Sequence, residues 1–182
     1  MLDSSGSLRN DYHKEKDFIK KIAGQFNIGS DGSRTGVVTF SSEAVHSIKL
    51  KDHSDVNSFN AAVDEIPLMG QETRIDKALR LAQKEFFAPE NGGRANLPKV
   101  LILLTDGTQT KKDNAEDPSI IADEMRKAGI DIIVVGIGSD IDKEELDSMA
   151  GGMDSAVNPE TFEKLVSKEF IDKLTKRTCR KG

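Results

Sequence analysis

Two apolar runs of strand length constrain this chain more than anything else in it. Val100-Leu101-Ile102-Leu103-Leu104 contains no polar residue, and the run over residues 131–137 is apolar throughout after Asp131. Both are far shorter than the roughly 18 apolar residues needed to cross a bilayer. Neither alternates polar with apolar, so each is expected to be a strand covered on both faces, at the centre of a parallel sheet. Helical periodicity recurs around them. Phe18, Ile19, Ile22, Ala23 and Phe26 predict an amphipathic helix over residues 8–26, and Phe59 and Val63 one over 56–66. Ile75, Ala78, Leu79, Ala82 and Phe86 predict a long helix beginning just after Thr73. Asp117-Pro118 and Gly129 bracket a helix over 118–128, and Asp142 with Glu145 opens one over 143–150. Asn158-Pro159 repeats the capping logic before a last helix whose apolar face carries Phe162, Leu165, Val166, Phe170 and Leu174. Residues 36–40 and 44–50 flank Ser41-Ser42-Glu43 as a hairpin, which adds one antiparallel edge strand. Strands separated by helices predict an open, mostly parallel α/β sheet with helices on both faces.

The length of 182 residues fits one domain with a sizeable core, taken here as residues 1–175 followed by a basic tail over 176–182. A net charge of −5 argues against a general polyanion or nucleic-acid binder. Lys49, Lys51, Lys111 and Lys112 are expected to be solvated, and His13, His46 and His53 lack ligand spacing and are expected at the surface. The one cysteine, Cys179, has no internal partner; it is an inert thiol, a reactive one, or half of a bridge to a partner elsewhere. Met1 leads straight into an Asp-Ser run without a signal-peptide pattern, so the compartment is not read from the N-terminus.

Three separated pieces carry the chemistry. Asp3-Ser4-Ser5-Gly6-Ser7 immediately precedes the first helix, Thr73 precedes another, and Asp106 ends the strand Val100–Leu104 with Thr105-Asp106-Gly107. Taken singly, each reads as a turn or a helix N-cap. In an open α/β sheet, however, ligands bind beyond the carboxyl ends of the strands, where all three pieces lie. Together Asp3, Ser5, Ser7, Thr73 and Asp106 offer two carboxylates and three hydroxyls, hard oxygen donors suited to one Mg²⁺ or Mn²⁺. So few charges leave a divalent ion incompletely neutralised, with positions open to a carboxylate from another molecule.

Enzymatic readings fit poorly. There is no G-x-S-x-G elbow and no phosphate-binding glycine loop. Leu104-Thr105-Asp106-Gly107-Thr108 resembles the loop of haloacid-dehalogenase-like phosphatases, but Leu104 stands where their nucleophile would be. A metal-dependent hydrolase or phosphotransferase is therefore the least favoured alternative, and no enzyme activity is expected.

The constellation resembles the metal-ion-dependent adhesion site (MIDAS) of the von Willebrand factor A, or integrin I-like, domain. Asp3-Ser4-Ser5-Gly6-Ser7, Thr73 and Asp106 match its three loops, and the likeness covers essentially the whole chain. Leu97-Pro98-Lys99 followed by Val100–Leu104, and the stretch from Ile132 to Leu146, are most similar to the matrix-type domains of matrilins and collagen VI. Only residues 138–141 separate the strand from the helix at 143–150, which leaves no room for the extra helix of collagen-binding integrin domains. The resemblance implies a Rossmann-like sheet and a divalent ion held by Asp3, Ser5, Ser7, Thr73 and Asp106. It also implies extracellular adhesion, secreted or as part of an ectodomain, to an acidic residue of a protein ligand such as collagen or another matrix protein. A structural matrix-assembly module that binds partners without metal is the alternative. In the family the first strand is a central apolar run, whereas here only Met1 and Leu2 precede Asp3, so the first central strand is expected to be truncated or its slot filled by another segment. Many members also pair a cysteine after the last helix with one just before the first strand, a position this sequence lacks beside Cys179.

Overall fold

A computed structural model describes residues 1–138, 141–153 and 155–179, with the side chains of 177–179 left undescribed. Of the expectations above, the basic tail at Arg180 and Lys181, the side chain of Cys179, and Ser139 and Asp140 of the short strand-to-helix connection lie outside the described residues. Five strands form one sheet: β1 Leu2–Asp3, β2 Val37–Phe40, β3 Ala44–Ile48, β4 Lys99–Thr105 and β5 Ile130–Gly136, in the spatial order β3-β2-β1-β4-β5. β1 runs parallel to β2 and β4, and β4 parallel to β5, while β3 returns antiparallel to β2 at the edge. This is the mostly parallel Rossmann-like sheet with one antiparallel edge strand that the strand and helix patterns predict.

Residues on β4 and β5 alternate between two apolar layers, which is why both runs are apolar throughout. Leu104, Ile133 and Val135 join α1 (Tyr12–Ala23), α2 (Val56–Asp64), α6 (Phe162–Leu165) and α7 (Lys168–Cys179) on one face. Leu101, Leu103, Ile132 and Val134 join α3 (Ile75–Leu81), α4 (Pro118–Lys127) and α5 (Lys143–Ala150) on the other. The two Asp caps expected at Asp117 and Asp142 form. Asp117 Oδ1 accepts from the Ser119 amide at 2.9 Å, and Asp142 Oδ1 from the Glu145 amide at 3.1 Å.

Several elements end one to three residues short of expectation, as α1 does at Ala23, α2 at Asp64 and β3 at Ile48, and three helices are built differently. The first helix does not start at residue 8: a 3₁₀ turn at Gly6–Asn10 comes first and α1 begins at Tyr12, because the chain must first turn out of the sheet at the carboxyl end of β1. The helix after Thr73 changes to a π-helical turn at Ala82–Phe86. The last helix is two helices: Thr161 caps α6 through its hydroxyl and α7 follows, while Asn158 only closes a turn onto the Glu160 amide.

The first strand holds the centre of the sheet with two residues. Leu2 lies between Thr39 and Leu104, and Asp3 faces Phe40. Below Met1 no β1 residue separates β2 from β4, and a cavity of about 540 Å³ occupies that space. Val100 and Ile102, expected to be covered on both faces, are half-buried because they line it.

Candidate metal centre

The site lies where β1 and β4 end side by side. Asp3 is fully buried. Its Oδ1 accepts the Ser5 amide at 2.9 Å, and its Oδ2 accepts the Thr105 hydroxyl at 2.6 Å. Ser5 Oγ lies 3.1 Å from Ser7 Oγ, and Ser7 Oγ donates to Asp106 Oδ1 at 2.9 Å. One chain of hydrogen bonds thus links the ends of both strands through Thr105, Asp3, Ser5, Ser7 and Asp106. Accessibility rises along it, from buried Asp3 and Ser5 to half-buried Asp106 and exposed Ser7.

The second loop packs against the first by its backbone. The Gly70 amide donates to Ser4 O at 2.8 Å, the Gly6 amide to Gln71 O at 3.2 Å, and the Met69 amide to Ser4 Oγ at 2.7 Å. Gly70 and Gln71 both sit at φ of 75°, and for Gln71 this left-handed backbone is a strained state maintained by those contacts. The same turn delivers Thr73 to the site. Its amide donates to Thr110 Oγ1 at 3.1 Å and its carbonyl accepts the Thr110 amide at 2.8 Å. The Thr73 hydroxyl faces Gly107, next to Asp106: a Cβ built on that glycine would lie 3.8 Å from Thr73 Oγ1. Four of the five expected residues therefore share one hydrogen-bond chain, and Thr73 stands beside it.

Several residues in and under the site escaped the sequence reading. Thr105 orients Asp3, and Ser4 turns inward to tie the loops, although Ser4 and Ser5 are indistinguishable by residue type. Arg74, Asp76 and Gln109 form a buried clamp behind Thr73. The guanidinium grips Asp76 at 2.8 and 2.7 Å, and Gln109 Nε2 adds a bond to Asp76 Oδ1 at 2.8 Å. Against the desolvation of its burial, these donors hold the Asp76 carboxyl down to about 2. Glu15 is the least expected: it occupies the core face of α1, fully buried, with no hydrogen-bond partner for either carboxyl oxygen. A Glu at a core position of an amphipathic helix was the available signal. Two histidines pack on aromatic rings, His46 stacking on Phe86 and His53 meeting the edge of Phe59, while His13 is exposed as expected.

The electrostatics of the site are one-sided. Burial pushes Asp3 up to about 6, opposed by the Thr105 and Ser5 donors and reinforced by Asp106. Glu15 is raised well above the usual carboxylate range, first by desolvation and then by Asp3 and Asp106. Asp3 accepts from a hydroxyl and an amide, and Glu15 accepts no hydrogen bond, so a cation at the loop tips would favour the ionised form of Asp3 that burial disfavours. Among the described residues, no cluster of three or more His, Cys, Asp or Glu side chains forms a cage. The donors are two carboxylates and neighbouring hydroxyls, a set that fits a hard divalent ion.

A family model for the von Willebrand factor type A domain matches residues 1–173. The chain belongs to this family. The collagen alpha-6(VI) chain of Mus musculus is 32% identical over 165 residues, which is 90% of this chain and 7% of that one. Matrilin-3 of Mus musculus is 32% identical over 154 residues, 82% of this chain and 31% of that one. The chain thus spans less than a tenth of the collagen VI relatives it matches. Among solved structures, proximal thread matrix protein 1 from the mussel byssus superposes with a TM-score of 0.85 at 30% identity, over 97% of this chain and 44% of that one. A structure of the same mussel protein is described as having a zinc-occupied MIDAS motif, with 31% identity and the same TM-score of 0.85. The manganese-loaded TRAP protein of Plasmodium vivax, at 21% identity and a TM-score of 0.73, shares the fold. This von Willebrand factor A domain is a non-enzymatic module with relatives among matrix proteins.

Proposed function

We propose that this domain is a metal-dependent adhesion module. Asp3, Ser5, Ser7, Thr73 and Asp106 would hold one divalent ion, Mg²⁺ or Mn²⁺, and residues 1–175 form the working unit. The supporting observation is the hydrogen-bond chain that gathers the Asp3 and Asp106 carboxylates and the Ser5 and Ser7 hydroxyls, with Thr73 alongside, at the carboxyl ends of β1 and β4. The zinc-occupied site of the mussel relative supports a divalent ion in the same family. A bound ion would supply positive charge and open coordination positions for a carboxylate of a protein partner.

The residues themselves do the organising. Thr105 orients Asp3, the Gly70–Gln71 turn brings in Thr73, and the Arg74–Asp76–Gln109 clamp keeps that loop against the one following β4. Exposed Ser7 and half-buried Asp106 leave the outer side of the site open to a partner. The partner is expected to be an extracellular protein, collagen or another matrix component, engaged through an acidic residue, in keeping with the collagen VI and matrilin relatives. Among the described residues no helix is long and apolar enough to cross a membrane.

The test is a thermal-shift and calorimetric titration with Mn²⁺ and Mg²⁺ on the wild type and Asp106→Ala, followed by adsorption to collagen-coated surfaces with and without EDTA. Saturable stabilisation by metal that is lost in Asp106→Ala, with EDTA-sensitive adsorption, is the expected result. Metal titrations that leave both proteins unchanged overturn the reading. Adsorption insensitive to EDTA and to the substitution favours metal-independent matrix assembly.

A further inference from the structure

Two cations on the rim of the candidate metal centre have no partner in the folded chain. Arg9 and Lys111 are exposed, and among the described residues no acidic side chain pairs with either. Arg9 follows Ser7 by two residues in the 3₁₀ turn Gly6–Asn10, which buried Leu8 anchors. Lys111 follows Thr110, whose amide donates to Thr73 O at 2.8 Å and whose hydroxyl accepts the Thr73 amide at 3.1 Å. One cation thus stands on the first loop of the site and the other on the third. Burial raises the Glu145 carboxyl, and the field of Lys111 is among the smaller effects opposing it, so Lys111 also lies near the first turn of α5.

The neighbouring basic side chains are already committed. Arg74 pairs with Asp76, Lys77 with Glu43, Lys112 with Glu72 at 2.5 Å and Lys14 with Asp11 at 2.9 Å. The rim also offers nothing apolar. The exposed large apolar side chains among the described residues are Val45, Leu97, Ile120 and Met153, none of them in the loops that carry the site.

We propose that this rim takes an acidic peptide segment with two carboxylates, one directed at the metal ion and the second at Arg9 and Lys111. The inference rests on the metal-dependent reading above and names the class of partner for that site. A single carboxylate on the ion would leave both cations unanswered, and an apolar neighbour would find no surface to cover. A second carboxylate adds a charge-assisted hydrogen bond at the rim, where charge selects between partners more than it adds affinity. Carboxylates two residues apart in an extended segment share one face, about 7 Å from each other.

A densely sulfated glycan carries similar charge but fits this surface less well. Exposed Asp113 lies on the same loop as Lys111, exposed Asp142 and Glu144 lie at the start of α5, and the chain as a whole is at −5. A long polyanion would meet these charges as well as the two cations, whereas a short acidic segment need not.

The experiment uses the full chain in Mn²⁺ with rhodamine-labelled peptides Gly-Glu-Ser-Glu-Gly, Gly-Glu-Ser-Gln-Gly and Gly-Gln-Ser-Gln-Gly, read by fluorescence polarisation. Calorimetry measures Mn²⁺ binding separately. The wild type is expected to bind the two-acid peptide about threefold to tenfold more tightly than the one-acid peptide, to ignore the third, and to release both acidic peptides in EDTA. The margin is expected to shrink as NaCl rises from about 50 to about 500 mM, since exposed charges are screened. Arg9→Gln/Lys111→Gln is expected to take up Mn²⁺ at least as tightly, two like charges having gone, and to bind the two acidic peptides equally. Arg9→Glu/Lys111→Glu is expected to prefer Gly-Glu-Ser-Lys-Gly. Equal binding of the two acidic peptides by the Mn²⁺-loaded wild type, binding of neither, or a preference that survives in the Gln double variant overturns the inference and leaves the metal centre standing. Tighter binding of a heparin oligosaccharide than of the two-acid peptide, lost in the Gln double variant, assigns the rim to a glycan and overturns it as well. Failure of Mn²⁺ itself to bind is instead the failure of the metal-dependent reading, and this inference falls with it.

Discussion

Thr105 Oγ1 donates to Asp3 Oδ2 at 2.6 Å, joining the last residue of β4 to the last residue of β1 in a fully buried contact. Thr105→Val keeps the shape and removes the donor. Asp3 would then retain one fewer partner inside the protein, at a cost of about 1–3 kcal/mol. Urea denaturation should show that loss, and Mn²⁺ affinity should fall with it because the carboxylate is no longer oriented.

Asp3 also makes stability depend on pH. Its folded value of about 6 lies above the ordinary 3.8, so the native state holds the proton more tightly than the unfolded chain. The metal-free protein should lose stability as pH rises from about 4 to about 6, by about 3 kcal/mol from this group. Asp3→Asn should abolish that slope, and at pH 7 should be more stable than wild type in EDTA. With metal the sign reverses, because protons compete for the ligand: Mn²⁺ should bind about tenfold more weakly at pH 5 than at pH 7. Equal slopes in wild type and Asp3→Asn would remove Asp3 as the origin.

Glu15 lies in the core without a partner, and Glu15→Leu replaces it with a side chain its surroundings suit. Chemical denaturation in EDTA should show a gain of about 1–3 kcal/mol, the usual cost of an unsatisfied buried polar group. A loss of stability would mean that Glu15 has a partner in solution.

Arg74 and Asp76 form a buried ion pair at 2.7 Å, with both side chains almost inaccessible. Arg74→Met strands the Asp76 carboxylate and should cost about 3–5 kcal/mol. The double variant Arg74→Met/Asp76→Leu should recover most of that. Asp76 is depressed to about 2, so its contribution is present above pH 4 and disappears as pH falls through about 2. Wild type should lose this part on acidification, and the double variant should not.

Much of the architecture was legible in the residues. Continuous apolar runs identified β4 and β5 as strands covered on two faces, and Asp117 and Asp142 announced their helices through the amides they cap. These are local signals, set by side-chain periodicity and by hydrogen bonds two or three residues away. The split last helix and the 3₁₀ turn before α1 were not visible, because they depend on how each segment meets the sheet. The sequence also offered Asp3, Ser5, Ser7, Thr73 and Asp106 as oxygen donors, and the fold brings four of them into one hydrogen-bond chain with Thr73 beside it.

What the tertiary structure alone decided is how these side chains are held. Ser4 and Ser5 are chemically identical in the sequence, yet one turns inward to bind the second loop and the other joins the site. Thr105 becomes the partner of Asp3 only because parallel pairing brings the ends of β1 and β4 together, 102 residues apart in the chain. Arg74, Asp76 and Glu15 acquire their charges' consequences from burial, which no local pattern encodes. The apolar slot beneath Met1 likewise exists only between strands. Composition and spacing determined which groups were available, while long-range pairing and desolvation decided their partners, their protonation and the space left between them.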